Sequence, residues 1–222
     1  MNINVAIDGP SGAGKSTISK EVSKKLGFIY VDTGALYRSI ALYVYNNKID
    51  PDDVVAVSKS LSDISIRFDY IESEQHVFLN DADVSSDIRV HAISEYASKV
   101  SAIKEVRDYL LFMQRDIASK NNIIMDGRDI GTVVLPDATL KIFLTASAEV
   151  RAKRRFDELC QKGQTVEFDT VLNDIIERDK RDMERAVAPL KKADDAVLVD
   201  TSDCSFDESV EIICDLIKER IS

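Results

Sequence analysis

The sequence predicts an α/β fold: a central five-stranded parallel sheet flanked by helices, with a small antiparallel β subdomain inserted into it. Three observations carry this prediction. Short continuous apolar runs alternate with stretches of helical apolar spacing, the pattern of a parallel sheet covered on both faces. A glycine-rich loop follows the first of those runs and opens the first helix. One stretch, from Ile64 to Asn80, instead alternates polar and apolar residues with a period of two, which marks a β-ribbon with one wet face.

Taken in order, Asn2 to Asp8 reads as a buried strand, and Ile18 to Leu26 as an amphipathic helix behind the loop. Phe28–Val31 is a second short strand, followed by helical spacing from Gly34 to Tyr45. Ile64–Tyr70 and Gln75–Asn80 form the expected hairpin around the polar Glu72-Ser73-Glu74, so residues from about 60 to 90 read as the inserted subdomain. One long helix is expected from about Val90 to Ser119. Ile123–Met125, Leu140–Leu144 and Ala196–Val199 supply the remaining strands, and Phe206 to Ile221 the last helix. Between them, two charged helices joined by a turn at Gly163 occupy about 151–182. The whole of 1–222 is expected to be a single domain, within the size range of one large domain or a core with an insertion.

The segment Gly9-Pro10-Ser11-Gly12-Ala13-Gly14-Lys15-Ser16-Thr17 fits G-x-x-x-x-G-K-[ST] in full. Its glycines let backbone N–H groups converge on phosphate oxygens, and the helix N-terminus adds partial positive charge. Lys15 is placed to reach the outer phosphates and the Ser16 hydroxyl to ligate magnesium. A glycine-rich turn with a chance lysine is the bland alternative, and the strand–loop–helix context argues against it.

A net charge of −10 disfavours a general nucleic-acid binder, which needs a wide basic surface. It leaves room for a small phosphorylated ligand held by a few arginines. No apolar run is long enough to span a bilayer. The first strand begins almost at Met1, so no signal peptide is expected. Cys160, Cys204 and Cys214 are scattered and lack metal-site spacing, which suggests reduced thiols and a cytoplasmic protein. His76 and His91 lie far from the phosphate loop in sequence and read as structural or solvated.

Arginines mixed with carboxylates recur in four places: Asp32–Arg38, Arg107, Asp126–Thr132 and Arg178–Arg185. The first and third directly follow strands, as the phosphate loop does. Ligands of open α/β sheets sit beyond those carboxyl ends, so these clusters are expected to converge on one cleft. Asp126, ending a buried strand, reads equally as a carboxylate supporting magnesium through water and as a cap of the following turn. Arg178 and Asp182 lie four apart on one helix face, the spacing of an ordinary surface ion pair. Arg151, Arg154 and Arg155 fit a solvated basic face.

These segments also resemble the bacterial cytidylate kinase family. The resemblance rests on Asp-Gly-Pro-Ser-Gly-Ala-Gly-Lys at 8–15, Asp-Thr-Gly-Ala-Leu-Tyr-Arg at 32–38, Asp-Gly-Arg-Asp-Ile-Gly-Thr-Val-Val at 126–134, Pro-Asp-Ala at 136–138 and Arg-Ala-Val-Ala-Pro-Leu at 185–190. It runs nearly end to end, and its later segments are far more specific than the phosphate loop. It implies a P-loop NTPase fold with lid helices and an enlarged CMP-binding region. It further implies transfer of the terminal phosphate of ATP to CMP or dCMP, with magnesium. A monomer is expected, because one chain can complete a kinase cleft and lid. Two positions depart from the family's usual pattern: Ser16 stands where Gly is common and Thr33 where Ser is common, and both keep or gain a hydroxyl.

The resemblance implies that Arg38, Arg128 and Arg185 hold phosphates, Lys15, Arg128 and Arg185 serving the transfer itself. The guanidinium fork binds phosphate oxygens bidentately and stays charged. Asp129, Arg107 and Ser98 resemble the family's cytosine readers: a carboxylate accepts from the base amine while the other two donate to its acceptors. By the same resemblance Thr33 would lie near the nucleoside, and Arg178 with Asp182 would touch the ribose as well as form an ion pair. Arg154, on the lid, would meet ATP. Competing readings are a kinase for another small acceptor such as UMP, a GTP-dependent switch, and a nucleic-acid-binding ATPase. A switch leaves the acceptor-side arginines unexplained.

Overall fold

The computed structural model describes residues 2–71 and 74–221. They divide into two units, one formed by residues 1–30 and 120–222, the other by residues 31–119.

The first unit is built on the parallel sheet. Strand β1 (Asn4–Asp8) is buried along nearly its whole length and is followed by α1 (Lys15–Leu26). Gly27, in the left-handed conformation, ends that helix by returning its N–H to the Ser23 carbonyl. Strand β2 (Ile29–Asp32) leads out of the unit. The sheet order is β2-β6-β1-β7-β8, where β6 is Ile123–Gly127, β7 Leu140–Thr145 and β8 Val197–Asp200. The ladders of β1 with β6, β1 with β7 and β7 with β8 are all parallel. Val5, Ile7, Ile124, Ile142 and Leu144 meet Ile18 and Val22 of α1 and Ile213 and Ile217 of α8 (Phe206–Ile221) in one core. The register sets Asp8 opposite both Gly127 and Phe143, so β1 and β6 end level while β7 runs two residues further, to Thr145.

Helices α6 (Ala148–Gln161) and α7 (Phe168–Glu184) carry a small core of their own, in which Ala152, Val171 and Ile175 pack with Phe156, Leu159 and Phe168. The Ser147 hydroxyl caps α6 by accepting from the Val150 N–H.

The second unit contains α2 (Thr33–Asn46), α3 (Val54–Ser60) and the antiparallel sheet β3 (Ile66–Ile71), β4 (Glu74–Leu79) and β5 (Ala82–Asp83). The hairpin is as expected, with Ile66 opposite Leu79 and Tyr70 opposite Gln75; Glu72 and Ser73 of its turn lie outside the described residues. Ile66, Val77 and Leu79 point from its dry face into the core of the unit, beside Ile40, Val57 and Ile88.

The single long helix expected over 90–119 is instead two, α4 (His91–Val100) and α5 (Lys104–Lys120). Apolar spacing runs unbroken across the interruption, because Val100, Ile103, Val106 and Leu110 are all core residues. At the break the Ser101 carbonyl accepts from the Arg107 guanidinium at 3.1 Å.

Candidate active site

The loop between β1 and α1 presents its backbone at a helix N-terminus that no side chain caps. The first turn also lacks an acidic residue, so the partial positive charge of the helix end is left for an external anion. Gly9 has φ +152° and sits so tightly against β7 that a Cβ there would lie 1.9 Å from the Leu144 carbonyl oxygen. Lys15 is buried and its Nζ donates to the Pro10 carbonyl at 2.7 Å, inside the loop. Burial, and then the nearby Arg128 charge, lower its pKa to about 7.

Asp126 is the penultimate residue of β6. Its Oδ2 accepts from the Ser16 hydroxyl at 2.8 Å and its Oδ1 from the Tyr30 hydroxyl at 3.0 Å. A hydroxyl at the start of α1 and a carboxylate at the end of β6 are thereby held together.

Beyond Asp126 the chain makes a π-type turn over Ile130–Val134, a rare geometry that recurs at functional sites. Asp8 holds it in place: its two carboxylate oxygens accept from the Ile130 and Gly131 N–H groups at 2.8 and 2.7 Å. Burial raises the Asp8 pKa to about 6, against the opposing pull of those two N–H groups. This residue stood in plain view immediately before the phosphate loop, as a carboxylate ending an apolar strand, yet its sequence neighbours say nothing of the turn it grips.

The Asp8-held turn fixes Arg128 and Asp129 at its start, and both find partners near the end of α7. The Arg128 Nε donates to Asp182 Oδ2 at 2.8 Å. The Arg185 Nη2 donates to Asp129 Oδ1 at 3.3 Å, with both side chains more than nine-tenths buried. Burial works against the Arg128 charge, but the carboxylates of Asp182, Asp126 and Asp179 outweigh it and raise its pKa. For Asp182 burial is likewise outweighed, by Arg128, Arg178 and Arg185, so its pKa is lowered. Lys15, Ser16, Asp126, Arg128, Asp129, Arg178, Asp182 and Arg185 thus form one charged cluster in the first unit, with Asp8 and the Arg151–Asp179 pair beside it.

The three arginines of α6 have separate fates. Arg151 is buried, donates to the Ser11 carbonyl and pairs with Asp179. Arg154 donates to the Thr201 carbonyl at 2.7 Å and its hydroxyl at 3.3 Å. Arg155 makes an exposed pair with Glu158.

In the second unit, Asp32 caps α2 with one oxygen on the Ala35 N–H and receives the Arg38 guanidinium on the other, at 2.7 Å. Gly34 makes room for this, since a Cβ there would lie 2.8 Å from Arg38 Nη1. The Asp32 N–H in turn donates to the Gln75 side chain of β4. Thr33 is the buried first residue of α2. Ser98 and Arg107 flank the helix break and each contacts Ser101: the Ser101 hydroxyl donates to the Ser98 carbonyl, and Arg107 donates to the Ser101 carbonyl while lying over the Tyr37 ring at 5.5 Å. The contributions of Asp32 and Gln75 were not read from sequence. Asp32 carried a signal, as an acidic residue three before Ala35 at a helix start.

The family model for cytidylate kinase matches residues 5–219. The chain belongs to the cytidylate kinase family. It is therefore a kinase of nucleoside monophosphates by family. Curated relatives agree. It is 50% identical over 219 residues to a cytidylate kinase of Caldicellulosiruptor saccharolyticus, spanning 99% of this chain and 97% of that one. It is 47% identical over 218 residues to one of Clostridium botulinum, spanning 98% and 99%. Among solved structures, an uncharacterised protein from Eubacterium ventriosum shares the fold with a TM-score of 0.52 at 17% identity, covering 98% of this chain and 99% of that one. No described helix is long and apolar enough to cross a membrane.

Proposed function

We propose that this protein transfers the terminal phosphate of ATP to CMP or dCMP, giving ADP and CDP or dCDP. The observation that carries the reading is the charged cluster of the first unit, where a phosphate loop, the Ser16–Asp126 pair and the Arg128–Asp182 pair occur together. A donor loop alone fits any nucleotide hydrolase; two arginines locked beside it by carboxylates fit transfer between two phosphates.

In this reading the segment Gly9–Thr17 cradles the donor phosphates, with Lys15 exchanging the Pro10 carbonyl for a phosphate oxygen. Arg128 and Arg185 offset the repulsion between donor and acceptor phosphates. No side chain has to act as a strong base, because the attacking oxygen of CMP is already anionic. Catalysis is then alignment and charge neutralisation. Helices α6 and α7, about residues 151–182, serve as the lid, with Arg154 on the ATP side, and exclude water on closing.

For the acceptor, Asp129 takes a hydrogen bond from the cytosine amine, while Ser98 and Arg107 donate to the ring nitrogen and carbonyl. Arg178 and Asp182 hold the ribose, Arg38 the phosphate, and Thr33 borders the nucleoside. Residues from about 60 to 90 form the acceptor-side insertion. Uracil sets a carbonyl against Asp129, and the unpaired acceptors disfavour UMP.

The donor set beside the loop fits magnesium: a hydroxyl and a carboxylate 2.8 Å apart, both hard oxygen ligands. Ser16 would hold it directly and Asp126 through water; when bound it neutralises donor phosphate charge as a Lewis acid. The free state of Cys160, Cys204 and Cys214 supports a cytoplasmic setting, where the enzyme would serve pyrimidine nucleotide metabolism. One chain carries every residue of the proposed site, which supports a monomer. Phosphorus NMR of a mixture of protein, ATP, magnesium and CMP tests the reaction. Growth of CDP resonances in step with ADP is expected; ADP and inorganic phosphate without CDP would overturn it.

A further inference from the structure

Ser11, at the tip of the phosphate loop, has both of its backbone polar groups held by one buried ion pair. Its N–H donates to Asp179 Oδ1 at 3.1 Å, and its carbonyl accepts from Arg151 Nη1 at 2.9 Å. The same Arg151 nitrogen donates to Asp179 Oδ2 at 2.5 Å, and the Arg151 Nε is anchored on the Ala146 carbonyl at 2.8 Å. Both side chains are at most one-tenth exposed. The next residue is packed on the same group: a Cβ at Gly12 would stand 3.2 Å from that of Arg151. The loop tip is therefore seated on an ion pair between α6 and α7.

Asp179 occupies a particular place on α7. It directly follows Arg178 and precedes Asp182 by three residues, about 4.5 Å along the axis. Asp182 is the partner of Arg128. One turn of rigid helix thus joins the tip of the phosphate loop to the carboxylate that holds Arg128.

We propose that Arg151 and Asp179 are positioning residues that couple the two substrate sites. This rests on the assignment of the phosphate loop to ATP and of Arg178, Asp182 and Arg128 to CMP. Phosphate entering the loop acts on the Ser11–Gly12 backbone. The ion pair passes that adjustment to α7, and α7 sets the aim of Arg178 and Asp182. A pair that only stabilised the fold would leave the two binding events independent. A pair that couples them makes each substrate tighten the other by the same factor, as linkage requires.

The test measures the Kd of adenylyl imidodiphosphate with magnesium, in the absence of CMP and at saturating CMP. It is made by calorimetry on the full chain, for the wild type, Asp179→Asn and the double variant Arg151→Met with Asp179→Leu. The double variant guards against misfolding, because replacing a buried ion pair by apolar residues of similar volume is often neutral for stability. In the wild type CMP is expected to tighten the analogue at least about 5-fold. In both variants the ratio is expected to fall below about 2, with cooperative thermal unfolding retained. An equal ratio in wild type and folded variants, or a wild-type ratio near one, would overturn the coupling while leaving the kinase reading intact. A wild type that bound the analogue but never CMP would overturn both.

Discussion

The Arg128 Nε–H donates to Asp182 at 2.8 Å across 54 positions of sequence, from the turn after β6 to the last turns of α7. The carboxylate fixes where the guanidinium points, and Nη1 also donates to the Gly127 carbonyl at 3.4 Å. Arg128→Met is expected to lower kcat by a hundredfold or more, about 3 kcal/mol of transition-state stabilisation, with the KM for ATP within threefold. Arg128→Lys should recover little, because an ammonium cannot serve Asp182 and a phosphate as a planar fork does. Steady-state kinetics at saturating ATP decide this; a kcat within threefold of wild type in Arg128→Met would remove Arg128 from the transfer step.

Asp129 bears on selectivity rather than speed. Asp129→Ala also strips Arg185 of its partner, so turnover should fall with every acceptor. The informative quantity is the ratio of kcat/KM for CMP over UMP, from which that common loss cancels. The ratio is expected to drop at least tenfold, since an unpaired buried acceptor costs about 1–3 kcal/mol. An unchanged ratio would sink the assignment.

The Ser16–Asp126 pair predicts a magnesium phenotype. Ser16→Ala should raise the magnesium concentration for half-maximal activity about tenfold, with much of the lost rate recovered at high magnesium. Titrations at fixed free ATP check this. Identical magnesium curves for variant and wild type would show that the hydroxyl is no ligand.

Asp8 gives a pH dependence of stability. Its folded pKa is raised to about 6, whereas an unfolded aspartate titrates near about 3.9. Below both values the group is protonated in either state and contributes nothing. As pH rises through the window from about 4 to about 6 the unfolded chain ionises first, so folding loses stability, and the full loss is present above 6. The size is on the order of 2–3 kcal/mol. Urea unfolding at pH 4.5 and 7.5 should therefore show wild type losing ground to Asp8→Asn as pH rises. A constant difference between the two proteins would mean that Asp8 is not held at a raised pKa.

Much of this architecture was legible because its signals are local. Continuous apolar runs such as Ile123–Met125 and the full phosphate motif specify strand, loop and helix within a few residues. The break between α4 and α5 was not, since Val100, Ile103, Val106 and Leu110 keep the spacing of an unbroken helix, and the Arg107–Ser101 carbonyl contact found there has no apolar period to announce it. Strand β5 is two residues long and has no period to read. In the site, the residue types were visible and their partners were not. Arg151 reads as a solvated lid residue until Asp179, 28 positions away, is seen beside it. Asp8 is separated by 122 positions from the turn it grips.

The central claim is the identity of the acceptor. The direct measurement is kcat/KM for ADP formation from ATP and magnesium with CMP, dCMP, UMP, AMP and GMP in turn. Preference for CMP and dCMP over UMP by a hundredfold or more is the predicted result. Equal use of UMP, or no turnover with any of the five despite ATP binding, would contradict it.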